Sequence, residues 1–354
     1  MLEKDLKLSN AKGLLIFLVV FGHLIELHKQ NYYEIFVFIY CFHMPLFIFI
    51  SGYLAKRIKL SKIINLFILY IIFQSFFDWY LYFIGDYKNL EFHFGKPQFH
   101  LWYIVSMIFW YVIALIINRC KLNFFNKTLF FILLFILCFL SRWYTVSISE
   151  MAKGFYSGFT SYTLSYQRTI SFAPFFFAGF FMSKEYLQRI YKSISNDKAR
   201  VLLIITIVAS FFIIQFTPNL ESLFRGSFGT NRFLTKDESY FMKMFLHYAL
   251  SAWVCLLVLI NMSNKKSFLT KWGDRSLLIF LFHPLFVFII RRSELMDRWS
   301  PDTQFVVCFA ITVAIAMVLS SNIFTILMKP FTSPLNTLKK IISIPAKLNN
   351  TPVK

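Results

Sequence analysis

The sequence predicts an all-α integral membrane protein, a bundle of about ten transmembrane helices with both termini cytoplasmic. Three observations carry this. The chain is 58% hydrophobic and 20% aromatic, with 47 Phe, more apolar than a soluble domain of its length requires. Its apolar residues come in blocks of about 15–22, enough for a helix to cross about 30 Å of hydrocarbon. The third is the placement of charge. A formal net charge of +20 would suggest nucleic acid in a soluble protein. In a ten-span scheme with the N-terminus inside, however, 24 of the 37 Lys and Arg lie on inner segments and 13 on outer ones, as the positive-inside rule requires. The charge therefore reports topology, and no nucleic-acid partner is expected. The start of the chain does not resemble a cleaved signal peptide, so the first helix is expected to remain as an anchor. The five Cys are scattered without metal-type spacing and read as small core hydrophobes.

The first span is expected over about 13–27, and a short outer turn leads to the second over about 35–54. There Pro45 removes a backbone donor and Gly52 weakens the helix, so a kink is expected. Lys56, Arg57, Lys59 and Lys62 mark the cytoplasmic side. Span three, about 63–84, places Gln74 and Asp78 one turn apart, with Asp78 a possible partner for an outer cation. Span four carries Trp102 and Tyr103 at its outer end, where an interfacial aromatic belt is expected. Span five (about 128–140) precedes the longest outer loop, rich in Tyr, Ser, Thr and Gly, a surface that could stack on a sugar or pack on the bundle mouth. Span six opens on Arg168, a candidate anion clamp or a snorkelling cation, and contains Pro174. Spans seven (about 201–216) and eight (about 245–261) flank a loop with Arg225, Arg232, Asp237 and Glu238. Span nine holds His283 and Pro284, and span ten covers about 305–328. The expected organisation is one membrane domain over 1–330 and a short basic cytoplasmic tail over 331–354.

Chemistry concentrates in NAKGLLIFLVVFGHLIE, residues 10–26. Lys12 and His23 are eleven residues apart, about three helical turns, so they share one face at a separation of about 16 Å. Ionisable groups within a span are costly and by default functional. Glu26, three residues beyond His23, can orient or charge its imidazole. His43 and His283 also fall within spans. There is no HExxH array, Walker loop, dinucleotide-binding glycine motif or GxSxG elbow, so zinc is weakly indicated, and ATP-driven transport and serine hydrolysis are disfavoured. A membrane histidine beside a carboxylate suits a general base toward a hydroxyl or a proton relay in a transporter.

The motifs resemble the acyltransferase 3 family, multi-pass membrane acyltransferases of cell-surface carbohydrates. The resemblance rests first on Lys12-x10-His23 within NAKGLLIFLVVFGH and on FHMPLFIFISGY, which closes on Ser51-Gly-Tyr. Weaker echoes are LWYIVSMIFWY, RTISFAPFFFAG and LFHPLF. The wording is most similar to the branch that includes fucose-type sugar O-acetylases. This chain has Lys12 where many members have Arg, which forgoes bidentate anion binding. It shows no appended extracellular esterase-like domain, which places any acceptor site in the bundle and its loops.

The resemblance implies an O-acyltransferase of the bacterial cytoplasmic membrane, moving an acetyl group from cytoplasmic acetyl-CoA to a carbohydrate hydroxyl, with no tightly bound cofactor and no metal. It implies His23 as general base, or as the carrier of a transient acyl group, with Glu26 beside it. Lys12 would bind the donor phosphate or polarise the thioester. Arg168, His43, Ser51, Trp102 and His283 are acceptor-side or accessory candidates. The rival readings are a proton-coupled transporter of a sugar or lipid-linked oligosaccharide, and a non-catalytic partner in polysaccharide assembly.

Overall fold

The computed structural model describes residues 5–120, 123–217, 220–226 and 239–337, and among these it contains helices and no strands. Helix α1 (Leu6–Ile25) starts seven residues earlier than expected, because Asp5 caps it by accepting from the Leu8 N–H at 3.1 Å. The buried Asn10 then fits without an unpaired atom. Its Nδ2 donates to the Ser263 and Lys265 carbonyls at 2.8 and 2.9 Å, and its Oδ1 accepts from Ser267 and Thr270 at 3.0 and 2.6 Å. Beyond Ile25 the chain tightens into a 3₁₀ turn, Glu26–Asn31, kinked at His28.

The long helices α2 (Tyr33–Tyr53), α3 (Leu60–Phe83), α4 (Trp102–Cys120) and α5 (Phe124–Trp143) follow. A short helix α6 (Thr145–Phe155) fills much of the loop expected to be outer, and α7 (Tyr166–Phe181), α8 (Lys184–Lys192) and α9 (Asn196–Phe216) continue from it. The chain closes with α10 (Leu220–Arg225), α11 (Tyr240–Asn261), α12 (Phe268–Asp274), α13 (Ser276–Arg292), α14 (Pro301–Leu319) and α15 (Asn322–Thr332).

Eight of the described helices are long and apolar enough to cross a membrane, or nine if α12 and α13, bent by 86°, count as one span. Among the described residues the protein is thus all-helical and multi-pass, with eight or nine candidate spans where ten were expected. The expected sixth span, α7, has 16 residues, a rise of about 24 Å, short of the hydrocarbon thickness. The expected tenth span breaks in two because Ser321 caps a new helix, accepting from the Phe324 N–H at 3.1 Å. Arg232, Asp237, Glu238 and residues 338–354 of the expected tail lie outside the described residues.

Helices α1 and α2 form the centre. Of their most apolar windows 78% and 72% is buried, against 11% for α5 and 22% for α9, which face outward. Two glycine-lined crossings set this core. A Cβ on Gly52 of α2 would collide with the Phe176 carbonyl of α7, and one on Gly179 of α7 with the Phe49 carbonyl of α2. The same device joins α1 to α12, where Gly13 meets Leu269 and Gly273 meets Ser9. Small residues let backbones approach where lipid offers no hydrophobic drive to hold helices together.

The expectation of an outer cation for Asp78 is corrected. Its fully buried carboxylate accepts instead from the His93 N–H at 2.9 Å, Gln98 Nε2 at 2.7 Å and Gln74 Nε2 at 3.1 Å. These bonds clamp the loop between α3 and α4 onto the bundle.

Candidate active site

A cavity of about 80 Å³ lies where the kinked end of α1 meets the middle of α2, the start of α4, the start of α7 and α10. His23 reaches it from the last turn of α1. The helix runs from Leu6 and ends two residues after His23, so the imidazole stands in its last turn, beside the polar side chains of the cavity.

The His23 Nδ1–H donates to Glu26 Oε2 at 3.3 Å, since a carboxylate only accepts. That leaves Nε2 as the basic nitrogen. The Tyr40 hydroxyl donates to the same carboxylate oxygen at 3.1 Å, and Arg225 Nη2 donates to the other oxygen, Oε1. Arg225 is anchored in turn on Glu221 at 3.0 Å, which also takes Lys29 Nζ at 2.8 Å. Burial works against the charge of Arg225, but Tyr40, Glu26 and Glu221 outweigh it and hold the guanidinium above its ordinary value. A charged, multiply bonded carboxylate thus fixes the tautomer and orientation of one imidazole.

Three more histidines surround it. His283 stacks on His23 with ring centroids 5.5 Å apart, and His100 meets His283 edge-on at 5.4 Å. Pro284 lacks an N–H, so the Phe280 carbonyl loses its helical partner. His283 Nδ1–H supplies one at 2.9 Å and also reaches the Ile279 carbonyl at 3.0 Å. Its buried Nε2 then has no partner among the described residues. His43 is fixed in the same sense by the Ile39 carbonyl at 2.7 Å. His100 is 2% exposed, and neither of its ring nitrogens has a partner among the described residues. Burial, reinforced by His283 and His23, pushes it well below its ordinary value, so it is neutral. Among the described residues no group of three His, Cys, Asp or Glu could hold a metal ion.

The other expected site residues divide. Arg168 and Trp102 line the cavity together with His43. The Arg168 guanidinium lies 4.9 Å from the Trp102 ring and donates to the Arg225 carbonyl at 3.4 Å. Trp102 and Tyr103 are each 9% exposed, so they face the bundle and do not form an interfacial belt. Ser51 lies outside the cavity, its hydroxyl 2.6 Å from that of Tyr103. Lys12 also lies outside it, eleven residues or about 16 Å down the α1 axis from His23. At that distance it cannot polarise a group at His23. Tyr40, His100 and Glu221 join the site without a signal in their local sequence. Tyr40 stands one turn before His43, and His100 just ahead of Trp102. Glu221 and Arg225 share the short helix α10, whose return to α1 no local pattern encodes.

The sequence profile of the acyltransferase domain that defines the acyltransferase 3 family matches residues 5–321. The chain belongs to the acyltransferase 3 family. Its curated relatives share short, well-kept stretches with it. Sixty residues are 47% identical to the nodulation protein NolL of Sinorhizobium fredii, covering 15% of this chain and 16% of that protein. Sixty-six residues are 42% identical to NolL of Mesorhizobium japonicum, covering 17% and 18%. The match thus spans less than a fifth of either relative. No solved structure matches this acyltransferase 3 chain significantly.

Proposed function

We propose that this protein is an O-acyltransferase of the bacterial cytoplasmic membrane, moving an acetyl group from acetyl-CoA to a carbohydrate hydroxyl. The observation that supports this reading most is the His23–Glu26 pair at the cavity, with Nε2 left basic. In the proposed step His23 Nε2 takes the hydroxyl proton as the oxygen attacks the thioester carbonyl carbon. The C–S bond breaks, and the departing thiolate recovers the proton from the imidazolium, giving the O-acetyl ester and free CoA. General-base assistance of this kind contributes about 10²–10⁴-fold. Glu26 positions the base and stabilises the imidazolium that forms. The separation of Lys12 from the cavity suits a phosphate-holding role: the extended pantetheine arm would carry the thioester from Lys12 toward His23.

The experiment is acetyl-CoA consumption by the purified chain in liposomes, with and without surface carbohydrate. Carbohydrate-dependent release of CoA is expected, with Lys12→Ala raising the KM for acetyl-CoA and Lys12→Arg retaining activity. Proton-coupled sugar uptake without release of CoA would replace this reading with that of a transporter.

A further inference from the structure

The cavity at His23 is too small to contain a sugar: about 80 Å³ holds only a few waters, whereas small-molecule sites usually measure about 300–1,000 Å³. A second hollow, of about 670 Å³, opens between the loop joining α3 to α4 and the segment ahead of α7, on the side that the charge bias assigns to the outside. The two meet across one peptide bond: Gln98 lines the outer groove, and Phe99 lines the cavity, its ring 4.3 Å from that of His23. Phe99 holds a left-handed backbone with φ of 36°, costly for a bulky residue. Here that conformation turns the chain from groove to cavity.

From this we infer that the outer groove is the acceptor site and that it takes a neutral carbohydrate, whose reacting hydroxyl enters the cavity past Phe99. The inference rests on the acyltransferase reading of His23. The groove carries two acids, Asp86 and Glu91, and two lysines, Lys88 and Lys96. His93 lies there too, 3.4 Å from Glu91, and Arg292 pairs with Asp86 at 3.3 Å, so charges of both signs are interspersed and no single-sign patch marks the groove for an anion. Asn89 adds an amide donor and acceptor, Gln98 an amide oxygen that can accept, and Tyr87 and Tyr162 add rings. That combination matches a polyhydroxyl ring with polar edges and an apolar face.

The walls are braced in advance of binding. Gln98 donates to the Tyr87 hydroxyl at 2.5 Å and, as noted, to Asp78, while its own N–H donates to Gln74 Oε1 at 3.0 Å. Tyr70 donates to the Phe94 carbonyl at 2.7 Å, and the Leu164 N–H donates to the Gly95 carbonyl at 2.8 Å, tying one wall to the other. Such preorganisation lowers the ordering cost of binding.

The test uses Tyr162→Ala and Asn89→Ala, both at exposed positions where folding should survive. Saturation-transfer NMR on the full chain in detergent, with a panel of methyl glycosides of neutral hexoses, should give signal from at least one sugar. Each variant should weaken that signal at least tenfold. With acetyl-CoA present, the acceptor KM should rise by a similar factor. If acetyl-CoA is used by the wild type and both variants keep its acceptor KM, the groove is not the acceptor site, although the acyltransferase reading stands. If acetyl-CoA is not used at all, that reading fails, and the groove is judged by the NMR signal alone. Absence of signal from every glycoside in the wild type would overturn it.

Discussion

Glu26 is held by three donors at once, from His23, Tyr40 and Arg225, and so acts as one unit with them. Removing a single member should disturb all of them. Glu26→Gln and Arg225→Ala should each lower kcat more than they raise KM, since both act on the orientation of His23 and not on binding. The double variant should be less impaired than the two losses combined, with a coupling of about 0.5–3 kcal/mol. Strictly additive losses in a turnover assay would show that the contact does not serve the reaction. At this scale the sequence was informative where spacing within one helix sufficed: His23 and Glu26 lie three residues apart and do touch. It was silent where contacts join distant elements. Arg225 is 199 positions from Glu26, and nothing in its neighbourhood marks it as the partner of that carboxylate.

The helices meet this site at fixed heights because their backbones touch. Gly179→Ala forces a methyl against the Phe49 carbonyl, which cannot move without displacing α2, the helix that carries Tyr40 and His43. Overpacking of that kind costs about 1–3 kcal/mol, so thermal unfolding in detergent should shift down and activity should fall with it. Gly154→Ala in α6 is the control: nothing lies within 4 Å of the added carbon, and alanine favours a helix by up to about 1 kcal/mol. Equal destabilisation by both changes would contradict the crossing. Gly52 was legible as a weak point in the second span, but its value as a contact surface was not, because the partner glycine lies in α7. The early start of α1 lies in Asp5, a cap that hydropathy does not register because the apolar run begins only at residue 13. The break before α15 lay in Ser320, Ser321 and Asn322, within a stretch whose hydropathy reads as continuous.

For the whole molecule, composition alone dictated a membrane bundle, because nothing but helices can satisfy so much backbone in lipid without a closed barrel. The number of spans was harder to read, since α7 and the bent pair α12–α13 are apolar but short, and a hydropathy window cannot see an 86° bend. The charge bias predicts sidedness: cysteine labelling should find position 153 outside and positions 192 and 266 inside, and outside labelling at 192 would invert the scheme. The central claim, that a histidine at the mouth of α1 removes the acceptor's proton, is tested most directly at that one residue. His23→Gln keeps shape and some hydrogen bonding but cannot take the proton. Turnover of acetyl-CoA onto carbohydrate should therefore fall by at least about 10²-fold in a protein whose expression and thermal stability match the wild type. A well-folded His23→Gln protein that acetylates at the wild-type rate would contradict the account.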